Sequence, residues 1–189
     1  MKLQRWIAIL PLLAASAAQA HTGDHSHMSG FVDGMLHPLT GPDHLAAMLA
    51  VGIWSAMALK SPLRAPLAFA TSLLVGALLS MATGWHMPAM ETAITVSLAV
   101  LGLLVALRLA MPPAAGAATA AILAFSHGAA HGLELHGYAA LAGMVFTTLA
   151  LHGAGLALGW KLRKAPVLAR ALLGASVAAL AVVRLGGVA

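Results

Sequence analysis

Six stretches of this chain, residues 31–59, 66–83, 92–110, 114–134, 138–160 and 167–185, are apolar almost without interruption. A helix needs about 20 mainly apolar residues, in a range near 17–25, to cross the hydrocarbon core of a bilayer. Each stretch meets that length before a short break stops it. The breaks run from Lys60 to Arg64, Gly84 to Pro88, Met111 to Pro113, His136 to Gly137 and Lys161 to Lys164. Runs this continuous lack the period-two alternation of an outer-membrane barrel. The predicted fold class is therefore all-α, a polytopic bundle of six transmembrane helices. Only 8% of the 189 residues are charged and 61% are hydrophobic, against about 25% charged in a soluble domain. With so few charges to face water, the apolar side chains must face lipid.

No polar linker divides the chain, so one domain is expected. Lys2 and Arg5 precede a short apolar run over residues 6–15, and Ala18-Gln19-Ala20 follows. That is the pattern of a cleavable signal peptide, an uncleaved anchor being the alternative. The expected organisation is a signal peptide over 1–20, a His-rich tail over 21–30 and a six-span domain over 31–189.

The formal charge of +5 does not point to nucleic acid, because the basic residues stand singly or in short loops between apolar runs. Lys60, Arg64, Arg108, Lys161, Arg163, Lys164 and Arg170 all fall in or beside the loops after the first, third and fifth spans. The positive-inside rule makes those loops cytoplasmic, which predicts a bacterial inner-membrane protein with both mature termini in the periplasm. Arg184 is the exception. The same threading gives the periplasmic half Asp24, Asp33, Asp43, Glu91, Glu134 and every histidine but His152. With no cysteine, thiolate metal sites, disulfides and iron–sulfur clusters are excluded.

Two segments carry ligand chemistry inside the apolar runs. Residues 37–44 read H-P-L-T-G-P-D-H. A proline disfavours the helical conformation of the residue before it and suits the first helical position. The first span is therefore expected to be irregular over 37–41 and helical from Pro42 to residue 59. Asp43 then lies in the first turn, where the dipole favours a carboxylate, and His37, Asp43 and His44 converge. Residues 126–136 read S-H-G-A-A-H-G-L-E-L-H. There His127, His131 and Glu134 share one helical face, while Gly128 and Gly132 allow close approach of another helix. Imidazoles with a carboxylate suit Ni²⁺, Co²⁺ or Zn²⁺ better than Ca²⁺ or Mg²⁺. Such residues are expensive in a membrane and are functional by default, the plainer reading being a polar network that glues helices. His152 is either a helix–helix hydrogen-bonding residue or part of a path. The methionines read mostly as lipid-facing or packing residues, with Met87 and Met90, which flank His86, as candidate weak soft ligands. Glu91 reads as interfacial, and His21, His25 and His27 form either a metal-capturing or a merely solvated tail.

On these two motifs the chain resembles the HupE/UreJ family of nickel/cobalt permeases. The family carries H-P-x-x-G-x-D-H in its first mature span and F-H-G-x-A-H-G-x-E in its fourth, and both occur here in that order. Ser126 stands where the family has Phe, a departure that touches no ligand. The resemblance extends over nearly the whole chain. It implies a permease that moves metal from periplasm to cytoplasm for hydrogenase or urease maturation.

The expected function is facilitated uptake of a divalent transition-metal ion, Ni²⁺ or Co²⁺, held transiently by His37, Asp43, His44, His127, His131 and Glu134. The metal is cargo and no resident cofactor is expected. The expected partners are the ion and the lipid bilayer, and a homo-oligomer is compatible with the sequence. No phosphate-binding G-x-x-x-x-G-K-[ST] occurs, so ATP hydrolysis is not expected. The rival reading is an intramembrane metal-dependent hydrolase, but Gly128 occupies the place of the general base in H-E-x-x-H. A metal sensor would need an output domain, for which the six-span reading leaves no residues.

Overall fold

The computed structural model describes the backbone of residues 30–187 and side chains through Arg184. The expected signal peptide and the tail histidines His21, His25 and His27 lie outside the described residues. Seven helices follow one another: α1 (Phe31–Thr40), α2 (Pro42–Ala58), α3 (Arg64–Thr83), α4 (Met90–Leu107), α5 (Pro113–Glu134), α6 (Tyr138–Leu162) and α7 (Val167–Gly187). No strand occurs among the described residues.

Four helices, α3, α4, α6 and α7, are long and apolar enough to cross a membrane, which marks a multi-pass membrane protein. Of the other three, α1 has only 10 residues. The two longer ones fall short in length or hydropathy: α2, with 17 residues, and α5, diluted by Ser126, His127, His131 and several glycines. These two carry most of the ligand chemistry. Twelve residues of α2 are buried, whereas Val75, Val96, Phe146 and Val182 on the apolar helices are more than half exposed. Helix α2 is thus wrapped by the longer ones.

The apolar run over 31–59 is broken, but more narrowly than expected. Residues 37–40 are helical, Pro38 included, and the break is confined to Gly41, at φ −90° and ψ 109°. Packing overrides the local preference of Pro38. A Cβ on Gly34 would fall 1.8 Å from the Ala140 carbonyl, and one on Gly143 would fall 2.0 Å from that of Phe31. The α1 backbone therefore lies directly against α6. Thr147 on α6 also donates to the Met35 carbonyl at 2.9 Å.

Helix α3 packs most closely on α5, α2 on α6 and α4 on α7. At the α3–α5 contact, a Cβ on Gly128 would stand 2.0 Å from the Leu73 carbonyl and one on Gly132 would stand 2.2 Å from that of Ala77. The small-residue pair brings the two backbones together as its spacing predicts, and it turns the histidine face of α5 inward. At the far end of α2, Arg108 Nε donates to the Met57 carbonyl at 2.8 Å and Arg163 Nε to that of Ala56 at 2.7 Å. These arginines cap the last turn, where carbonyls lack intrahelical partners and the dipole favours cations. The bundle consequently has a basic end and an end that gathers acids and imidazoles.

Candidate metal site

The last turns of α1 and α5 meet at the imidazole end. His37 Nε2 lies 2.9 Å from His131 Nδ1 and 2.9 Å from Glu134 Oε2, and His131 Nδ1 is 3.6 Å from that oxygen. Two ligands about 2.0–2.1 Å from one ion, at tetrahedral or octahedral angles, are themselves about 2.9–3.4 Å apart. The three atoms are therefore near the spacing a first-row ion would impose. His131 is fully buried, while Glu134 keeps 35% of its side chain open, so the cluster forms a mouth with a closed inner wall.

A line of rings leads inward from it. The His44 ring is 4.3 Å from His131 and 5.0 Å from His127, centre to centre. Phe69, fully buried, lies 6.0 Å from His127 and 5.1 Å from His152. Each histidine of this line has one nitrogen engaged. His44 Nδ1–H donates to Asp43 Oδ1 at 3.1 Å. Ser97 commits its only proton to the Ile94 carbonyl at 2.7 Å, so its oxygen accepts from His127 Nε2–H at 2.6 Å. His152 Nδ1–H donates to the Met48 carbonyl at 2.8 Å.

The opposite nitrogens are bare. Among the described residues, the buried side-chain nitrogens and oxygens without a hydrogen-bond partner are His44 Nε2, His127 Nδ1, His131 Nε2, His152 Nε2 and Ser80 Oγ. Leaving a buried polar atom unpaired costs about 1–3 kcal/mol. A network that only glued helices would have paired them. A hydrogen bond that fixes one imidazole nitrogen and leaves the other's lone pair free is also how proteins orient metal-binding histidines.

Of the six residues expected to hold metal, His37, His131 and Glu134 meet in one cluster, the one group of three such side chains with ligand atoms within 4.8 Å among the described residues. His44 and His127 continue from it inward. Asp43 does not face the cluster: Oδ1 accepts from His44, and Oδ2 pairs with Arg184 on α7. Glu91, expected to be an interfacial residue, is also paired with Arg184, at 2.5 Å. His86 and His136 are exposed. Sequence reasoning missed Ser97 and Phe69, which look like ordinary members of apolar runs. Gly128 lies against the α3 backbone, so no side chain fits at the position of a hydrolase's general base.

A family model described as HupE / UreJ protein matches residues 8–184. Protein HupE of Rhizobium leguminosarum bv. viciae is 38% identical over 166 residues, which cover 84% of each chain. No solved structure matches the chain.

Proposed function

Because the chain belongs to the HupE/UreJ family, we propose that it is a permease carrying a divalent transition-metal ion, Ni²⁺ or Co²⁺, from periplasm to cytoplasm across the bacterial inner membrane for maturation of a metalloenzyme. The observation that carries this reading is the row of bare imidazole nitrogens, on His131, His44, His127 and His152, that leads inward from the His37–His131–Glu134 cluster.

In this account α1 and α2 together make one broken crossing and α3 to α7 make five more, with the acidic and imidazole end outside. An ion exchanges water for His37, His131 and Glu134 at the mouth. It then passes to His44 and His127, whose second nitrogens are already held by Asp43 and Ser97. Irregular backbone at membrane depth is tolerated where it lines a cavity, and Gly41, between the half-helices, is the joint that lets His37 move relative to His44. Each transfer exchanges metal for protons, since both compete for the same lone pairs. His152, 14 residues past the start of α6 and so about 21 Å along it, is the next imidazole after Phe69. Five of the six expected ligands keep their roles here, and Asp43 acts instead through His44.

Purified protein in liposomes, offered Ni²⁺, Co²⁺ and Zn²⁺ in turn, tests the proposal. Uptake of Ni²⁺ or Co²⁺ above that of protein-free vesicles supports it. Metal-dependent cleavage of a lipid or peptide bond without uptake would replace it with the hydrolase reading.

A further inference from the structure

Arg184 is the one basic residue at the wrong end of the bundle for the positive-inside rule. Its surroundings account for it. Nη1 pairs with Asp43 Oδ2, and Nη2 lies 2.5 Å from Glu91 Oε2. The two acids stand in the first turns of α2 and α4, and Arg184 in the last turn of α7. Acids are favoured at helix N-termini and cations at C-termini, so three helix ends of matching polarity meet at one point. Helix α7 packs on α4 and buries few of its residues, and Val182 and Val183 beside Arg184 are exposed. A guanidinium there has no reason to point inward except these carboxylates.

The pairing reaches the candidate site in one step. Asp43 divides its oxygens, one for Arg184 and one for the Nδ1–H of His44, and the far nitrogen of His44 is bare. Without Arg184, two carboxylates with a joint charge of −2 would stand beside the imidazoles, a full match for a dication. With it, the charge is −1. A path that conducts must bind well enough to admit an ion and weakly enough to release it.

We propose that Arg184 is a tethered counter-cation that occupies Asp43 and Glu91 so that these carboxylates attract a passing divalent metal ion without trapping it. The proposal rests on the permease reading given above. It makes Arg184 a residue that sets binding strength against turnover, acting through Asp43 and His44.

The test is Ni²⁺ binding by the purified full chain in detergent, measured by calorimetry, beside Ni²⁺ uptake in liposomes. Arg184→Gln is expected to bind Ni²⁺ roughly tenfold or more tightly, because removing the cation leaves one more unit of uncompensated negative charge facing the dication, and to transport it more slowly. Arg184→Lys should restore both values most of the way. Glu91→Gln, at a half-exposed position, should do the opposite and weaken capture at scarce metal. A strut that merely held α7 in place would give loss of protein or loss of uptake with no gain in affinity. Should Arg184→Gln fail to fold, the Arg184→Lys and Glu91→Gln pair decides, and unchanged capture in Glu91→Gln overturns the proposal. Wild-type protein that binds Ni²⁺ and does not transport it would overturn the permease reading alone. Wild-type protein that binds Ni²⁺, with Arg184→Gln binding it no more tightly, would overturn this proposal alone.

Discussion

Nε2 of His37 lies 2.9 Å from Nδ1 of His131, joining the last turn of α1 to the last turn of α5 across 94 residues of sequence. Two motifs that look independent along the chain are thus one site. Since the same His37 nitrogen also reaches Glu134, the cluster should fail as a unit. Replacing His37 by Ala or Glu134 by Gln is expected to weaken Ni²⁺ binding by about 10–100-fold or more, the range set by losing even an outer partner. Calorimetry on detergent-purified variants, with normal melting temperatures as the control for folding, measures this.

Gly41 offers a more specific test of the broken span. A Cβ there would stand 3.0 Å from Asp43 Oδ1 and 3.1 Å from His44 Nδ1, whereas one on Gly153 would meet nothing within 4 Å. Gly41→Ala should therefore disturb the Asp43–His44 pair and lower uptake several-fold at normal expression. Gly153→Ala should leave uptake unchanged and stabilise α6, since Gly in a helix is worse than Ala by roughly 0.5–1 kcal/mol. Equal effects of the two changes would remove Gly41 from the account.

Ser97 should act through His127. Ser97→Ala leaves the buried Nε2–H without its acceptor and frees the ring to turn, so Ni²⁺ affinity is expected to fall by about tenfold or more. Ser97→Thr, which keeps the hydroxyl, should recover most of the loss. A uniform loss in both variants, accompanied by a lower melting temperature, would point to packing instead.

His152 separates a path residue from glue. If it receives the ion after Phe69, His152→Ala should keep Ni²⁺ binding at the outer cluster and slow uptake. If it only ties α6 to the Met48 carbonyl, the change should lower the melting temperature and leave the uptake rate per folded protein unaltered.

Much of this architecture is legible in the sequence, for reasons particular residues make plain. The helices end within a few residues of where Pro113, Gly84 and the Lys60–Arg64 loop say they should, because a helix in an apolar run stops only at charge, proline or glycine. The shared face of His127, His131 and Glu134 follows from helical spacing alone. The break is confined to Gly41 and does not extend over 37–41, since packing of Gly34 against α6 holds Pro38 in a helix that its local preference opposes. The partners of the site were harder still. Ser97, Phe69 and Arg184 reach it from helices distant in sequence, and periodicity says nothing of contacts between helices. Charge patterning did single out Arg184, though not the acids it meets.

The separation of charge between the two ends of the bundle makes orientation a prediction. Reporter fusions after Arg64 and Lys164 are expected to report a cytoplasmic position, and a fusion after Ala189 a periplasmic one. A cytoplasmic C-terminus with Lys164 also cytoplasmic would mean that α7 does not cross, and would contradict the pairing of Arg184 with Asp43, which sets the end of α7 beside the start of α2.

The central claim, that metal moves along the imidazoles of α2 and α5, is tested most directly by the initial rate of Ni²⁺ uptake into liposomes holding equal amounts of wild-type, His44→Ala or His131→Ala protein. Clear uptake is expected for the wild type and rates near those of protein-free vesicles for both variants, with each variant folded and inserted normally. Wild-type rates in both His44→Ala and His131→Ala would show that these histidines only hold helices together, and would contradict it.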